Sequence, residues 1–256
     1  MKYNIIFTAI LTGSCFLAVA QQTAKPEDTE IWKPVPKVIT PGNAFRDAPS
    51  DAVILFDGKN LDQWVLTNDT TTRAKWLVAD DIITVDKSVG DIQTKRSFMD
   101  FQLHIEYRIP SNITGSGQAR GNSGIFLAAF PWGAGGYELQ VLDNYNNTTY
   151  VNGQVGSIYK QSIPLANAAL PPGKWQTYDV VWTAPRFNDD GSLKSAARVT
   201  AFHNGILVQN NFELKGDTPY IGQPSYRKHG PSPIKLQAHG DKSEPISYRN
   251  IWLREL

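Results

Sequence analysis

The sequence has almost no cysteine: Cys15 is the single one in 256 residues. It sits in an apolar run, Ile5 to Ala20, that follows Met1-Lys2-Tyr3-Asn4 and ends in Ala18-Val19-Ala20. A cationic start, a short apolar centre and an A-x-A end form the pattern of a secretory signal peptide, with cleavage expected before Gln21. A lipoprotein anchor on Cys15 is the competing reading, but Thr12-Gly13-Ser14-Cys15 is a poor lipobox. If Cys15 leaves with the signal, disulfides, a thiol nucleophile and a Cys-ligated metal are excluded. Long hydrophobic runs are also missing, since Ile5–Ala20 is too short for a comfortable membrane span. Charge of one sign is missing too: the net charge is +1 with no Lys/Arg stripe, which speaks against nucleic acid or an anionic membrane as partner. There is no convincing 3.6-residue apolar period, no H-E-x-x-H and no Gly-x-Ser-x-Gly elbow. The Gly115-Ser116-Gly117 and Gly121-Asn122-Ser123-Gly124 stretches lack the strand–turn–helix context of a phosphate loop.

Aromatic residues are present in quantity, at 11%, seven of them Trp. Such residues fill sandwich cores, and they also offer flat faces on which the C–H side of a pyranose can lie. Residues 1–20 are expected to be the signal and 21–50, dotted with Pro26, Pro34, Pro36, Pro41 and Pro49, a tether. Residues 51–256 carry short β-branched and aromatic runs punctuated by Gly, Asn, Asp and Pro, the pattern of one all-β domain. Phe101 to Ile109 alternates apolar and polar residues up to Pro110, which predicts a strand with one wet face. Trp175–Trp182, Arg198–His203, Ile206–Val208, Ile234–His239 and Ile246–Leu253 predict further strands, and Gly124–Phe130 with Tyr137–Leu142 a pair. Asn204-Gly205 between two such runs predicts a tight hairpin. Many short strands without helices imply a jelly-roll β-sandwich of two antiparallel sheets. The Asn-rich excursion 144–170 is expected to be a binding loop.

Polar side chains stand at alternate positions on strand-like runs. Glu138 and Gln140 share one face while Tyr137, Leu139 and Val141 share the other; Lys235, Gln237 and His239 share a face; Arg249 lies opposite Tyr248 and Asn250. Carboxylates, amides and guanidinium groups suit a groove that holds sugar hydroxyls, although an ordinary wet sheet face has the same spacing. Asp143 points away from Glu138 in a regular strand. A bulge would return it, or it starts a turn. Of the four histidines, His104 is expected on a wet face, His203 before a turn and His229 in a loop, which leaves His239 as the candidate for chemistry.

In order along the chain, Phe56-Asp57-Gly58-Lys59-Asn60-Leu61-Asp62-Gln63-Trp64, Asn122-Ser123-Gly124-Ile125-Phe126-Leu127, Tyr137-Glu138-Leu139-Gln140-Val141-Leu142-Asp143, Gly156-Ser157-Ile158-Tyr159, Gln237-Ala238-His239-Gly240 and Tyr248-Arg249-Asn250-Ile251 resemble the motifs of the 3-keto-disaccharide hydrolase family. The resemblance runs from about residue 50 to the end and implies a concanavalin A-like fold. It implies action on an oligosaccharide or glycoside oxidised to a ketone at C3, by removal of the C2 proton, elimination at C1 and hydration. On that basis Glu138 or His239 is the base. Arg120, Lys160, Arg249 or a divalent metal ion serves the oxyanion side. Asn122, Gln140, Tyr159 and Gln237 hold hydroxyls, with Asp143 as a further binding candidate. Arg249 can equally close the last strand by a salt bridge, and Lys160 can be a loop cation. A lectin-like module without catalysis is the second reading. A conventional glycosidase, which needs a carboxylate facing Glu138, is the third. The expected location is the periplasm or the outer surface.

Overall fold

A computed structural model describes Ala44, residues 46–131 and residues 135–256. The expected signal and most of the expected tether lie outside the described residues. β-Branched and aromatic side chains fit a pleated, half-buried surface, and fifteen strands form among the described residues: β1 (Val53–Phe56), β2 (Trp64–Leu66), β3 (Leu77–Ala79), β4 (Ile82–Thr84), β5 (Ile92–Thr94), β6 (Phe101–Arg108), β7 (Ser123–Ala129), β8 (Gly136–Val141), β9 (Trp175–Thr183), β10 (Arg186–Phe187), β11 (Leu193–Ser195), β12 (Arg198–His203), β13 (Ile206–Glu213), β14 (Lys235–Leu236) and β15 (Ser247–Glu255). One sheet runs β13-β12-β9-β6-β15-β4-β3, with β1 pairing the far half of β15. The other runs β2-β5-β14-β7-β8. All the pairings are antiparallel. The protein is the β-sandwich that its alternation implied.

The core lies between the sheets. Tyr137, Leu139 and Val141 of β8 are fully buried, as are Tyr178, Val180 and Trp182 of β9 and Tyr248 of β15. Truncating a side chain such as Trp182 or Tyr178 to Ala would cost about 3–5 kcal/mol, because the surrounding layer cannot collapse into the hole. Asn204 and Gly205 adopt positive φ of 52° and 78° and turn β12 into β13, as a type I′ turn requires. Asn204 also ties this turn down, accepting from the Thr177 amide through Oδ1 at 2.9 Å and donating through Nδ2 to the Ala168 carbonyl at 2.8 Å.

Two expectations fail here for physical reasons. The polar face of Phe101–Ile109 is wet only at its ends: Gln102 and Arg108 are half-buried, whereas His104 and Glu106 are buried. His104 Nδ1 lies 2.7 Å from Asp179 Oδ1 and its ring stacks on Trp252, while Glu106 accepts from Arg249 and Asn250. Neighbouring strands of the same sheet supply the cover. The late strand expected over Ile234–His239 is only Lys235–Leu236, so Gln237 and His239 stand on the loop that leaves it.

Candidate active site

The five-stranded sheet carries the site on its outer face. Its pairing aligns one residue per strand in a single row: Val65, Gln93, Lys235, Phe126 and Glu138. Strand residues one step along from these face the core, which is why Ile92, Leu236, Ile125 and Leu139 are buried apolar residues. A cleft of about 650 Å³ opens over the β8 end of the row, bordered by Asp91, Asn122, Phe126, Glu138, Gln140, Lys235, Gln237 and His239, with Tyr150 and Tyr159 from the long loop and Tyr220 at the rim. The Asn-rich excursion thus supplies part of the cleft wall.

Glu138 is the unusual group. Among the described residues its carboxyl has no hydrogen-bond partner. Burial raises its pKa to about 8, against the pull of Lys235 and with the push of Asp91. It therefore keeps its proton at neutral pH. The carboxyl lies against Gly124, where an added Cβ would come within 2.5 Å of Oε1. Lys235 is buried, with Nζ 3.2 Å from Asp91 Oδ2 and 3.6 Å from the centre of the Phe126 ring. Asp91 is held from behind as well, since Oδ1 accepts from the Ala238 amide at 2.8 Å.

His239 faces the same cleft. Its Nδ1 lies 2.8 Å from Asp241 Oδ2, and Asp241 Oδ1 accepts from Lys87 Nζ at 3.0 Å, from the Ser243 amide at 2.8 Å and from the Ser243 hydroxyl. Burial works to raise the Asp241 pKa, but the hydrogen bonds from His239, Ser243 and Lys87 override it and hold the carboxyl well below the ordinary range. The Asp241 amide also approaches Nδ1, at 3.3 Å; with the ring proton on Nδ1, toward the Asp241 carboxylate, the imidazole presents its Nε2 lone pair to the cleft. Nε2 lies 3.4 Å from Asn122 Nδ2. Asn122 Oδ1 in turn accepts from Gln140 Nε2 at 2.9 Å. Gln140 and Gln237 each retain a buried amide oxygen without a partner, a costly state that a hydroxyl donor would relieve.

The structure therefore gathers Glu138, His239, Asn122, Gln140, Tyr159 and Gln237 in one cleft, and it places the other four candidates outside that lining. Arg249 is on β15 of the opposite sheet, where Nε donates to Glu106 Oε2 at 2.7 Å and the guanidinium lies over Trp175. A register shift between Arg249 and Trp252 also brings Asn250 to the Glu106 side, contrary to strict alternation. Arg120 and Asp143 pair with each other at 2.6 Å, and Asp143 caps the Tyr145 amide as a turn residue. Lys160 stands in an adjoining hollow, donating to the Tyr220 carbonyl with its ammonium over the Tyr220 ring. Sequence reasoning missed Asp91, Tyr150, Tyr220 and the orienting role of Asp241. Lys235 was visible as a face-mate of Gln237 and His239 but not as the partner of an acid. Among the described residues no three His, Cys, Asp or Glu side chains converge as a metal-ligand group, so the donor set does not fit a metal ion held by such ligands.

Residues 51–254 match the family model described as the 3-keto-alpha-glucoside-1,2-lyase-like domain. No protein of curated function matches the chain. A solved structure from Parabacteroides distasonis, provisionally described as a glycosyl hydrolase, is 54% identical with a TM-score of 0.84, over 91% of this chain and 97% of its own. Two others from that organism, with the same provisional description, are 20% identical with TM-scores of 0.60 and 0.56; each covers 80% of this chain, and the matches span 94% and 99% of their own lengths. At that identity they speak for the fold alone. With most of its length matched, the chain belongs to the family of the 3-keto-alpha-glucoside-1,2-lyase-like domain, a carbohydrate-active enzyme family.

Proposed function

We propose that the protein cleaves glycosides whose sugar carries a ketone at C3, with His239 as base and Glu138 as acid. One observation carries this reading: an imidazole held through Nδ1 by Asp241, with Nε2 toward the cleft, and a carboxyl whose pKa burial raises to about 8 border the same hollow. A ketone acidifies the neighbouring C2–H. His239 Nε2 takes that proton, and the C–H electrons form an enolate whose oxygen is stabilised by the Lys235 ammonium and the amides of the cleft. The enolate then reforms the ketone, a C1–C2 double bond forms and the C1–O bond breaks. The departing oxygen takes the proton of Glu138, and water added at C1 completes a net hydrolysis. This chemistry needs a base and an acid of separated pKa values, which two contrasting environments supply.

The expected export belongs to the proposal, resting on residues 1–20; a secreted product beginning at Gln21 by mass would bear it out. A second reading, conventional hydrolysis, draws on Asp91, the other carboxylate bordering the cleft. Against it, both Asp91 oxygens are engaged, by Lys235 and by the Ala238 amide. The deciding experiment incubates the protein with a chromogenic glucoside and with its 3-keto counterpart, with and without a chelator. Release from the keto compound alone supports the elimination route. Release from the plain glucoside supports ordinary hydrolysis, and oligosaccharide binding without release from either supports a lectin-like module.

A further inference from the structure

The row of side chains that crosses the cleft does not stop at Lys235. Gln93 and Val65 continue it on the same sheet face, and over them a second hollow of about 390 Å³ opens, bordered also by Thr67, Thr70, Lys95 and Pro233. We propose that this hollow is a further sugar-binding subsite, which holds the part of a longer glycoside remote from the bond that breaks. The inference rests on the proposed function and deepens it by naming the substrate class: oligosaccharide-like glycosides rather than small glucosides.

Three observations carry it. First, the two hollows lie on one face in one register. Gln93 is three strands from Glu138, roughly 14 Å at the ordinary strand spacing of about 4.8 Å, which is beyond the reach of a single pyranose and within that of a short oligosaccharide. Second, Gln93 is 7% exposed and its Oε1 is buried without a partner. Among the described residues, the glutamines with such an orphaned oxygen are Gln93, Gln140 and Gln237, and all three border these two hollows. The chain leaves the same debt to a hydroxyl donor at both ends of one face. Third, the lining suits a neutral, hydroxyl-rich ring. Threonine hydroxyls, an amide and the Lys95 ammonium offer polar partners, Val65 and Pro233 offer an apolar wall for its C–H face, and no carboxylate is among the described lining residues.

The test has a kinetic arm and a binding arm. Thr70→Trp, at an exposed position, fills the hollow, and Gln93→Leu removes the amide at nearly constant size. The kinetic arm compares kcat/KM for the chromogenic 3-keto-glucoside with that for cello-, laminari- and malto-oligosaccharides oxidised at C3 of the terminal glucose. The binding arm titrates the same oligosaccharides unoxidised, in graded lengths, by calorimetry. Wild type is expected to prefer a longer chain of at least one linkage, and both variants, folded by circular dichroism, to lower the long-to-short ratio by about tenfold. Equal effects on long and short substrates, or no effect on either, would overturn the subsite. If no keto compound is turned over but longer oligosaccharides bind wild type and not Thr70→Trp, the subsite stands and the proposed reaction falls. Turnover of keto compounds without any dependence on length sinks the subsite and leaves the reaction standing.

Discussion

Each sheet of the sandwich buries a cluster of ionisable side chains on its outer face, and the two clusters differ in kind. On β6 and β15, Glu106 meets Arg249, Asn250 and, at 3.7 Å, His104, whose other ring nitrogen is held by Asp179. Burial raises the Glu106 pKa, but these partners outweigh it and bring the carboxyl to about 2. Across the molecule Glu138 has a cation nearby, yet no hydrogen bond answers its carboxyl, and burial wins. In the first cluster each carboxylate is answered by a cation or a donor. The second is left open on one side. Buried ionisable groups by themselves therefore do not mark a candidate site; one left without a hydrogen-bond partner beside a cleft is the better sign.

The largest test of that contrast is catalytic. Glu138→Gln and His239→Ala are each expected to lower kcat/KM on the keto substrate by about 10²–10⁴-fold with the fold intact by circular dichroism, whereas equal activity of either variant would remove that residue from its role. Asp241→Asn should follow with a loss on the order of 10²-fold, because the amide no longer fixes the imidazole tautomer; the pH–rate profile of this variant should change shape as well as height.

Stability should separate the clusters by the sign of their pH dependence. Folded Glu138 holds its proton up to about 8, against 4.5 for the free group. The folded state binds more protons over that window, so stability falls as pH rises through it, by a few kcal/mol in all. Glu138→Gln should flatten this slope in urea titrations from acid to alkaline pH. Glu106 is the mirror case: it stays ionised down to about 2, so its contribution is present above 4.5 and is lost as pH falls toward 2. Arg249→Ala, which breaks the first cluster at a partly exposed member, should cost about 1–2 kcal/mol, read as a drop of several degrees in Tm, with kcat/KM unchanged. A large catalytic effect of Arg249→Ala would return it to the site. The smallest effect is expected for Tyr159→Phe, which removes the hydroxyl contact with Tyr150 at 2.6 Å and should raise KM about two- to fivefold.

Alternation made most of the sandwich legible: β6, β9, the β12–β13 hairpin and β15 all follow the apolar–polar rhythm of their residues. It also placed Glu138 with Gln140, and Gln237 with His239, on shared faces. Alternation says which side of a strand a residue takes, not which sheet the strand joins, and this is how Arg249, on β15, came to be grouped with His239, on the loop after β14 of the other sheet. Polar neighbours from other strands, Asp179 and Arg249 for β6, turned the middle of a face that looked wet into a buried one. Asp91 precedes a three-residue strand and reads locally as a turn, so nothing in the sequence foretold its place beside Lys235. Orientation of His239 by Asp241, two residues on, needed the loop geometry after β14.

The space for the acid is set by an atom that Gly124 lacks. Its backbone does not take a positive φ, so alanine would be conformationally acceptable there, and a single methyl would contest the volume that Glu138 occupies. Anyone transplanting this chemistry to another scaffold must therefore keep room for the acid on the neighbouring strand, and here glycine at position 124 supplies it.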